Sequence, residues 1–205
     1  MTSRILVAGI GNIFLGDDGF GSEVVRNAEI PQDDSCVRVT DYGISGMHLA
    51  YDLADGYEAA ILVDAAPRGG KPGTITVLEV AAEHRRDLAA AAGPLGASRL
   101  FDSHGMQPDV VLGVLDMLGG GGPARTLVVG CEPASVDYGM ELSEPVAGAV
   151  DEAVKVILGL VAETGRASQS AENFHATGPE TAAAEDPEIH ETTGEGVSHV
   201  PWHSR

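Results

Sequence analysis

The sequence predicts a single α/β domain of three layers: a five-stranded, mostly parallel twisted sheet, helices on both faces, and one antiparallel strand at an edge. Three observations predict it. Short continuous apolar runs, Arg4–Gly9 (RILVAG), Ala59–Val63 (AAILV) and Thr126–Cys131 (TLVVGC), read as strands buried on both sides. Segments of helical spacing separate the first strands, giving the β-α-β-α-β order of a wound parallel sheet. One link, Ala65–Gly73, is too short for the crossover of about a dozen residues that a parallel neighbour needs, so the strand after it is expected to run antiparallel.

The elements follow in order. Arg4–Gly9 opens the sheet, and a loop from Ile10 to Asp18 leads into Gly19–Glu29, where Phe20, Val24 and Ala28 recur on one helical face. Pro31 and Asp33-Asp34 end that helix. Cys36–Asp41 (CVRVTD) alternates as a second strand. Ile44–Leu53 is a second helix, with Ile44, Met47 and Ala50-Tyr51 on one side. Ala59–Val63 is the third strand and runs into Asp64; Thr74–Val80 is the antiparallel edge strand. Ala81–Ala92 is alanine-rich and expected to be helical, as is Met106–Leu118, with Pro108 in the first turn, where the missing N–H is tolerated. Thr126–Cys131 is the fifth strand and Glu144–Thr164 a long terminal helix.

The domain is thus expected over residues 1–165. From Ala167 to Arg205 the chain holds Ser, Thr, Glu, Pro and Gly with almost no bulky apolar side chains. Such a segment cannot bury enough surface to offset its ordering entropy, so 166–205 is expected to be a disordered acidic tail.

Composition bounds the function. With 43% hydrophobic residues in 205, the chain can build a full core, yet no run approaches the roughly 18 apolar residues of a membrane span. The opening MTSRILVAGIGN lacks a small-residue cleavage site, so no signal peptide is expected and the protein is placed in the cytoplasm. Cys36 and Cys131, both assigned to strands, are read as buried thiols in a reducing compartment. The balance of 31 Asp+Glu against 12 Lys+Arg, a formal charge of −19, repels nucleic acid and disfavours an anionic membrane surface. It favours a basic partner or a metal cation without choosing between them.

In wound sheets, ligands bind beyond the carboxyl ends of the strands, where strand order reverses. With the second and third strands on opposite sides of the first, that crevice lies between strands one and three. Asp17 and Asp18 sit in the loop after strand one, and Asp64 ends strand three. One of the two adjacent acids is expected to cap the following helix, leaving the other available. His104, in FDSHGMQPD just before a helix, can reach the same rim. Two carboxylates and an imidazole would make a three-ligand set for a divalent transition metal, with no preference for nickel over zinc on affinity alone. Asp41 ends strand two, beside Tyr42-Gly43.

Other chemistries are poorly supported. Gly9-Ile10-Gly11-Asn12-Ile13-Phe14 begins a dinucleotide fingerprint but has phenylalanine at the sixth position, and Asp17 and Asp18 would face an anionic pyrophosphate. There is no G-x-S-x-G elbow, no C-x-x-C and no H-E-x-x-H. His48 and His84 fall in helices and are expected to face solvent.

Five blocks carry a resemblance: GIGNIFLGDDGFG at 9–21, DYGISGMHLAYDL at 41–53, AAILVDAAP at 59–67, DSHGMQPDVVLGVL at 102–115 and GCEPASVDYGMELSEPV at 130–146. In this order and spacing, over roughly residues 4–160, the chain resembles the hydrogenase maturation endopeptidases. The resemblance implies an endopeptidase that removes the C-terminal extension of a nickel-loaded [NiFe] hydrogenase large-subunit precursor, the nickel arriving with the substrate. It implies Asp18, Asp64 and His104 as the residues that contact the metal, although many relatives carry glutamate at the position of Asp18. A carboxylate such as Asp17 or Asp41 is then a candidate general base, and Asp41, Gly43 and Gly46 are expected to shape the crevice wall. The alternative on the same fold is a non-proteolytic factor that grips nickel and the hydrogenase during assembly. Phe14 predicts that titration with nicotinamide or flavin cofactors gives no saturable change in intrinsic fluorescence; saturable binding would return the chain to the nucleotide-dependent enzymes.

Overall fold

The computed structural model describes residues 4–30, 36–80, 111, 115 and 122–176, of which 168–176 are described by backbone alone. Five strands, β1 (Ile5–Ile10), β2 (Val37–Gly43), β3 (Ala59–Ala65), β4 (Ile75–Glu79) and β5 (Arg125–Cys131), form one sheet in the order β2-β1-β3-β5-β4. The pairs β1–β2, β1–β3 and β3–β5 are parallel; β4 pairs antiparallel with β5 at the edge. The expected reversal of order between strands one and three is present. The short link after β3 does not return beside β3. It arches over the end of β5, where the Ala66 N–H donates to the Cys131 carbonyl (2.8 Å) and the Glu132 N–H to the Thr74 carbonyl (3.0 Å).

Side chains alternate across the sheet and divide the core in two. Leu6, Ala8, Ile10, Ala60, Leu62 and Val128 face α2 (Gly46–Ala54) and pack with Leu49 and Leu53. Ile5, Val7, Ile61, Val63, Leu127 and Val129 face α1 (Phe20–Asn27) and α4 (Val150–Ala176), together with Phe20, Val24, Ala153 and Ile157. A short α3 (Glu144–Ala147) leads into α4. Each fully buried Ile, Leu or Phe contributes about 1.5–3 kcal/mol relative to exposure, which explains why β1 and β3 carry no polar residue before Asp64.

The first helix lies unusually close to the sheet. A Cβ on Gly21 would stand 2.1 Å from the Val63 carbonyl oxygen and 2.2 Å from that of Ile10. A Cβ on Gly9 would meet the Gly21 carbonyl oxygen at 2.5 Å. Two glycines, one on β1 and one at the start of α1, therefore seat the helix directly on the ends of β1 and β3, and fix where the preceding loop emerges.

Several boundaries differ from expectation. Helix α2 starts at Gly46, because the chain first turns at Gly43 (φ +52°) with the Ser45 N–H donating to the Tyr42 carbonyl. Ile44 lies in that turn and is exposed, as is Tyr51; Leu49, Ala50 and Leu53 form the buried face. Cys36 precedes β2 and is half-buried, since β2 begins at Val37; Cys131 is buried at the other end of the sheet, and both are thiols. Helix α4 continues to Ala176, past Thr164 and into the segment expected to be a tail. Once its first turns are nucleated by burial of Ala153 and Ile157, each further residue adds one hydrogen bond. The rest of the expected tail, the helix over 81–92 and His84 lie outside the described residues. Of Met106–Leu118, Val111 and Leu115 are described; both are helical and fully buried, one helical turn apart.

Gly21→Ala is expected to cost about 3 kcal/mol, the upper part of the overpacking range, and to lower the thermal midpoint by about 6–12 °C. Gly159→Ala is the matched control: it sits in α4 with nothing within 4 Å of an added Cβ, and is expected to raise stability by up to about 1 kcal/mol. Thermal melts of the two variants check both signs.

Candidate active site

The loops beyond the carboxyl ends of β1, β2, β3 and β5 form one rim, and acidic side chains tie them together. Between β1 and α1 the chain passes through a 3-10 turn, Gly16–Gly19, that carries Asp17 and Asp18. Neither acid caps a helix: Gly19 holds the N-cap position of α1 and no side chain bonds there. The turn instead directs both carboxylates back over the loops.

Asp17 is the buried one. Its Oδ2 accepts hydrogen bonds from the Ala134 N–H (2.7 Å), the Ser135 N–H (3.1 Å) and the Ser143 hydroxyl (2.9 Å), and its Oδ1 accepts from the Ser143 N–H (2.7 Å). Burial acts to raise its pKa, but the amides of Ser143, Ser135 and Ala134 and the Ser143 hydroxyl together hold it below the ordinary carboxylate value. Asp17 is thus an anchor for the loop between β5 and α3, and an enclosed carboxylate with a lowered pKa is badly suited to take a proton from water.

The two loops also pair through their backbones. Leu15 bridges Gly139; the Gly16 N–H donates to the Gly139 carbonyl (2.8 Å), the Gly139 N–H to the Phe14 carbonyl (3.0 Å), and the Asp17 N–H to the Ser135 carbonyl (3.1 Å).

Asp18 is half-buried and lies over the end of β1, where its Oδ2 accepts the Asn12 N–H at 2.7 Å. Gly11 makes this possible: it has φ +126°, and a Cβ there would stand 1.8 Å from the Asp18 carbonyl oxygen. Asp64 is buried at the end of β3, one residue past Val63, which pairs with Gly9. Asp18 thus belongs to the turn that follows β1, and Asp64 to the end of β3, the strand beside it. By strand alternation Asp64 continues the Leu62 side of the sheet, the side on which Val111 and Leu115 are buried.

Asp41 belongs to the other side. It pairs with Gly9 on β2, and its carboxylate turns to α1: Oδ1 accepts from the Ser22 hydroxyl (2.7 Å) and the Gly43 N–H (3.0 Å), while Oδ2 is ion-paired with Arg26 (2.8 Å). The structure so leaves Asp18 in the turn after β1 and Asp64 at the end of β3, and assigns Asp41 to holding the β2 turn against α1. That turn abuts β1 through the Gly11 N–H donating to the Gly43 carbonyl (3.0 Å). His104 lies outside the described residues. Among the described residues no three His, Cys, Asp or Glu side chains form a metal-holding group; Asp18 and Asp64 supply two oxygen donors of the type a divalent ion takes.

One anchoring acid was not foreseen. Glu132, just past β5, accepts the N–H groups of Arg68 (2.8 Å) and Gly69 (3.0 Å), holding the loop that follows Asp64. The Arg68 amide, with those of Gly70 and Gly69, lowers its pKa against the effect of burial. The only signal in the sequence was an acid at the end of an apolar strand opposite a glycine-rich loop. Cys131 beside it is no nucleophile, because burial and the neighbouring Asp17 charge push its thiol up to about 11. His48 is exposed on α2, as expected.

Asp17→Asn turns one acceptor oxygen into a donor facing N–H or O–H groups, and is expected to cost about 3 kcal/mol at pH 7. The sign with pH follows from the lowered folded pKa. The wild-type advantage is complete above the unfolded value of about 3.9 and fades as pH falls through the folded one. Urea unfolding of both proteins at neutral and strongly acidic pH reads the gap and its narrowing.

Comparisons with known proteins fit this geometry. The family model described as hydrogenase maturation protease (HycI) matches residues 23–160. The hydrogenase expression/formation protein HupD of Rhodobacter capsulatus is 36% identical over 154 residues, 74% of this chain and 68% of its own length. Among solved structures, the hydrogenase maturating endopeptidase HybD from E. coli is 28% identical with a TM-score of 0.60, over 79% of this chain and 94% of that one. A hydrogenase 2 maturation peptidase from a Thaumarchaeota archaeon is 31% identical with a TM-score of 0.57, over 78% and 99%. With the family match spanning more than half its length, this chain belongs to the hydrogenase maturation proteases and is a peptidase.

Proposed function

We propose that this peptidase removes the C-terminal extension of a nickel-loaded [NiFe] hydrogenase large-subunit precursor, and that it recognises the substrate's own nickel through Asp18, Asp64 and His104. What supports this reading is the family match together with two acids beyond the carboxyl ends of β1 and β3: Asp18 in the turn after β1, bonded to the Asn12 N–H, and Asp64 near the end of β3. In the sequence His104 stands seven residues before Val111. Two carboxylates and an imidazole suit a divalent first-row ion.

Each acid then has a separate task. Asp18 and Asp64 meet the metal of the incoming chain. Asp17 and Glu132 hold the loops that frame them, and Asp41 keeps the β2 turn in place through Arg26 and Ser22. Hydrolysis adds one water across the scissile amide: its oxygen joins the carbonyl carbon, the C–N bond breaks, and the leaving nitrogen takes a proton. A nickel ion held by Asp18, Asp64 and His104 would supply Lewis-acid polarisation of the carbonyl or the water. A precursor without nickel lacks the recognition element and is left uncut. No described helix is long and apolar enough to cross a membrane, and the reaction belongs in the cytoplasm, where Cys36 and Cys131 stay reduced.

Incubating the protein with a nickel-loaded precursor is expected to shorten the precursor, read by mass spectrometry, while nickel-free precursor keeps its mass. Asp18→Asn, Asp64→Asn and His104→Ala are each expected to lower the cleavage rate by about 100-fold or more, with unchanged circular dichroism. Equal cleavage of nickel-free precursor, or full activity of these variants, would remove the metal-recognition role.

A further inference from the structure

Of the eight large hydrophobic side chains exposed among the described residues, five lie in the rim loops: Phe14, Ile44, Val136, Tyr138 and Met140. Tyr138 is 95% exposed, Met140 71% and Phe14 58%. They are not scattered. Gly139 bridges Leu15 and bonds to both Phe14 and Gly16, so Tyr138 and Met140 flank Phe14 on paired backbones. The Gly43 carbonyl accepts the Gly11 N–H, which brings the Ile44 turn up to the same loop. Asp18 belongs to the same β1–α1 loop as Phe14, bonded to the Asn12 N–H.

The display is also stiff. The Ser135 hydroxyl donates to Asp137 Oδ2 (2.7 Å) and accepts the Asp137 N–H (3.1 Å), folding the tip that carries Val136 and Tyr138, and Asp17 fastens that tip from beneath. A rigid cluster of exposed apolar side chains marks an interaction surface.

Charge says what kind of partner fits. Residues 5–25 and 126–154 contain no lysine or arginine, whereas Glu23, Asp137, Glu141, Glu144, Asp151 and Glu152 stand on them, exposed. A second copy of this chain would bring like charges together, and an anionic lipid surface would be repelled. An apolar face bordered by lysine and arginine is the complement.

We infer that Phe14, Ile44, Val136, Tyr138 and Met140 form the face on which the hydrogenase precursor docks, and that the precursor meets it with an apolar patch in a basic border. This rests on the reaction proposed above and names the surface that delivers the scissile segment to Asp18. The positions act on binding and not on bond breaking, so they move KM and leave kcat alone.

The test uses the full-length protein and nickel-loaded precursor. The double variant Tyr138→Ser/Met140→Ser is expected to raise Kd and KM about ten-fold or more, with kcat within about two-fold of wild type. Val77→Thr, an exposed position on β4, is expected to change neither. Wild-type affinity is expected to weaken about ten-fold or more between about 0.05 and 0.5 M sodium chloride. Unaltered Kd and KM in the double variant would overturn the docking face, as would a wild-type dimer in sedimentation that the double variant abolishes. Salt-independent affinity would overturn the basic border. Wild type that binds the precursor without shortening it would sink the proposed reaction, while loss of that binding in the double variant would still uphold the surface.

Discussion

The rim of this protein depends on one buried carboxylate kept ionised away from water. An isolated charge in that position would be strongly disfavoured. Asp17 is stable there because four N–H and O–H groups from a loop more than a hundred residues later in sequence converge on it. The stabilisation runs both ways. The amides of Ala134, Ser135 and Ser143 are satisfied only when the β5–α3 loop sits on the β1–α1 loop, and the Leu15–Gly139 bridge forms in the same docking. Beneath it, the Gly9–Gly21 contact settles the height at which the first loop leaves the sheet.

Acids that look interchangeable in sequence hold separate positions. Asp17 binds one loop, Glu132 another, and Asp41 the β2 turn through its pairing with Arg26. These carboxylates work as acceptors for backbone amides or a guanidinium, each compensated where it lies. Asp18 stands in the turn after β1 and Asp64 near the end of β3. The relatives identified by sequence and by structure are hydrogenase maturation proteins, and the arrangement suits a peptidase whose selectivity resides in loops on a rigid sheet.

Much of this was legible in the chain before any coordinates. β1, β3 and β5 read clearly because they are buried on both sides, leaving continuous apolar runs. The antiparallel β4 followed from the length of one link. The reversal of strand order between β1 and β3 followed from the β-α-β-α-β pattern. What could not be read depends on tertiary docking. Asp17 and Asp18 are adjacent, and only the arrival of the 134–143 loop distinguishes the anchor from its neighbour. Asp41 ends a strand like Asp64 does, but alternation turns it to the opposite side, toward Arg26. The start of α2 was misplaced because the positive-φ turn at Gly43 postpones the helix past an apolar residue, Ile44, that helical spacing had claimed. The end of α4 was misplaced because a helix anchored on a core outlasts its buried face.

The Gly73 turn shows how far this loop framework extends. With φ +82°, and with the Pro145 carbonyl 2.4 Å from where a Cβ would stand, it packs the loop after β3 directly on the start of α3. The described loops around the crevice are thereby braced on one another. A receptor assembled this way has little freedom to surrender when its ligand arrives. The ordering entropy of complex formation falls on the visiting polypeptide, and a visitor that already presents its terminal segment in the required shape will be favoured over one that must first be organised.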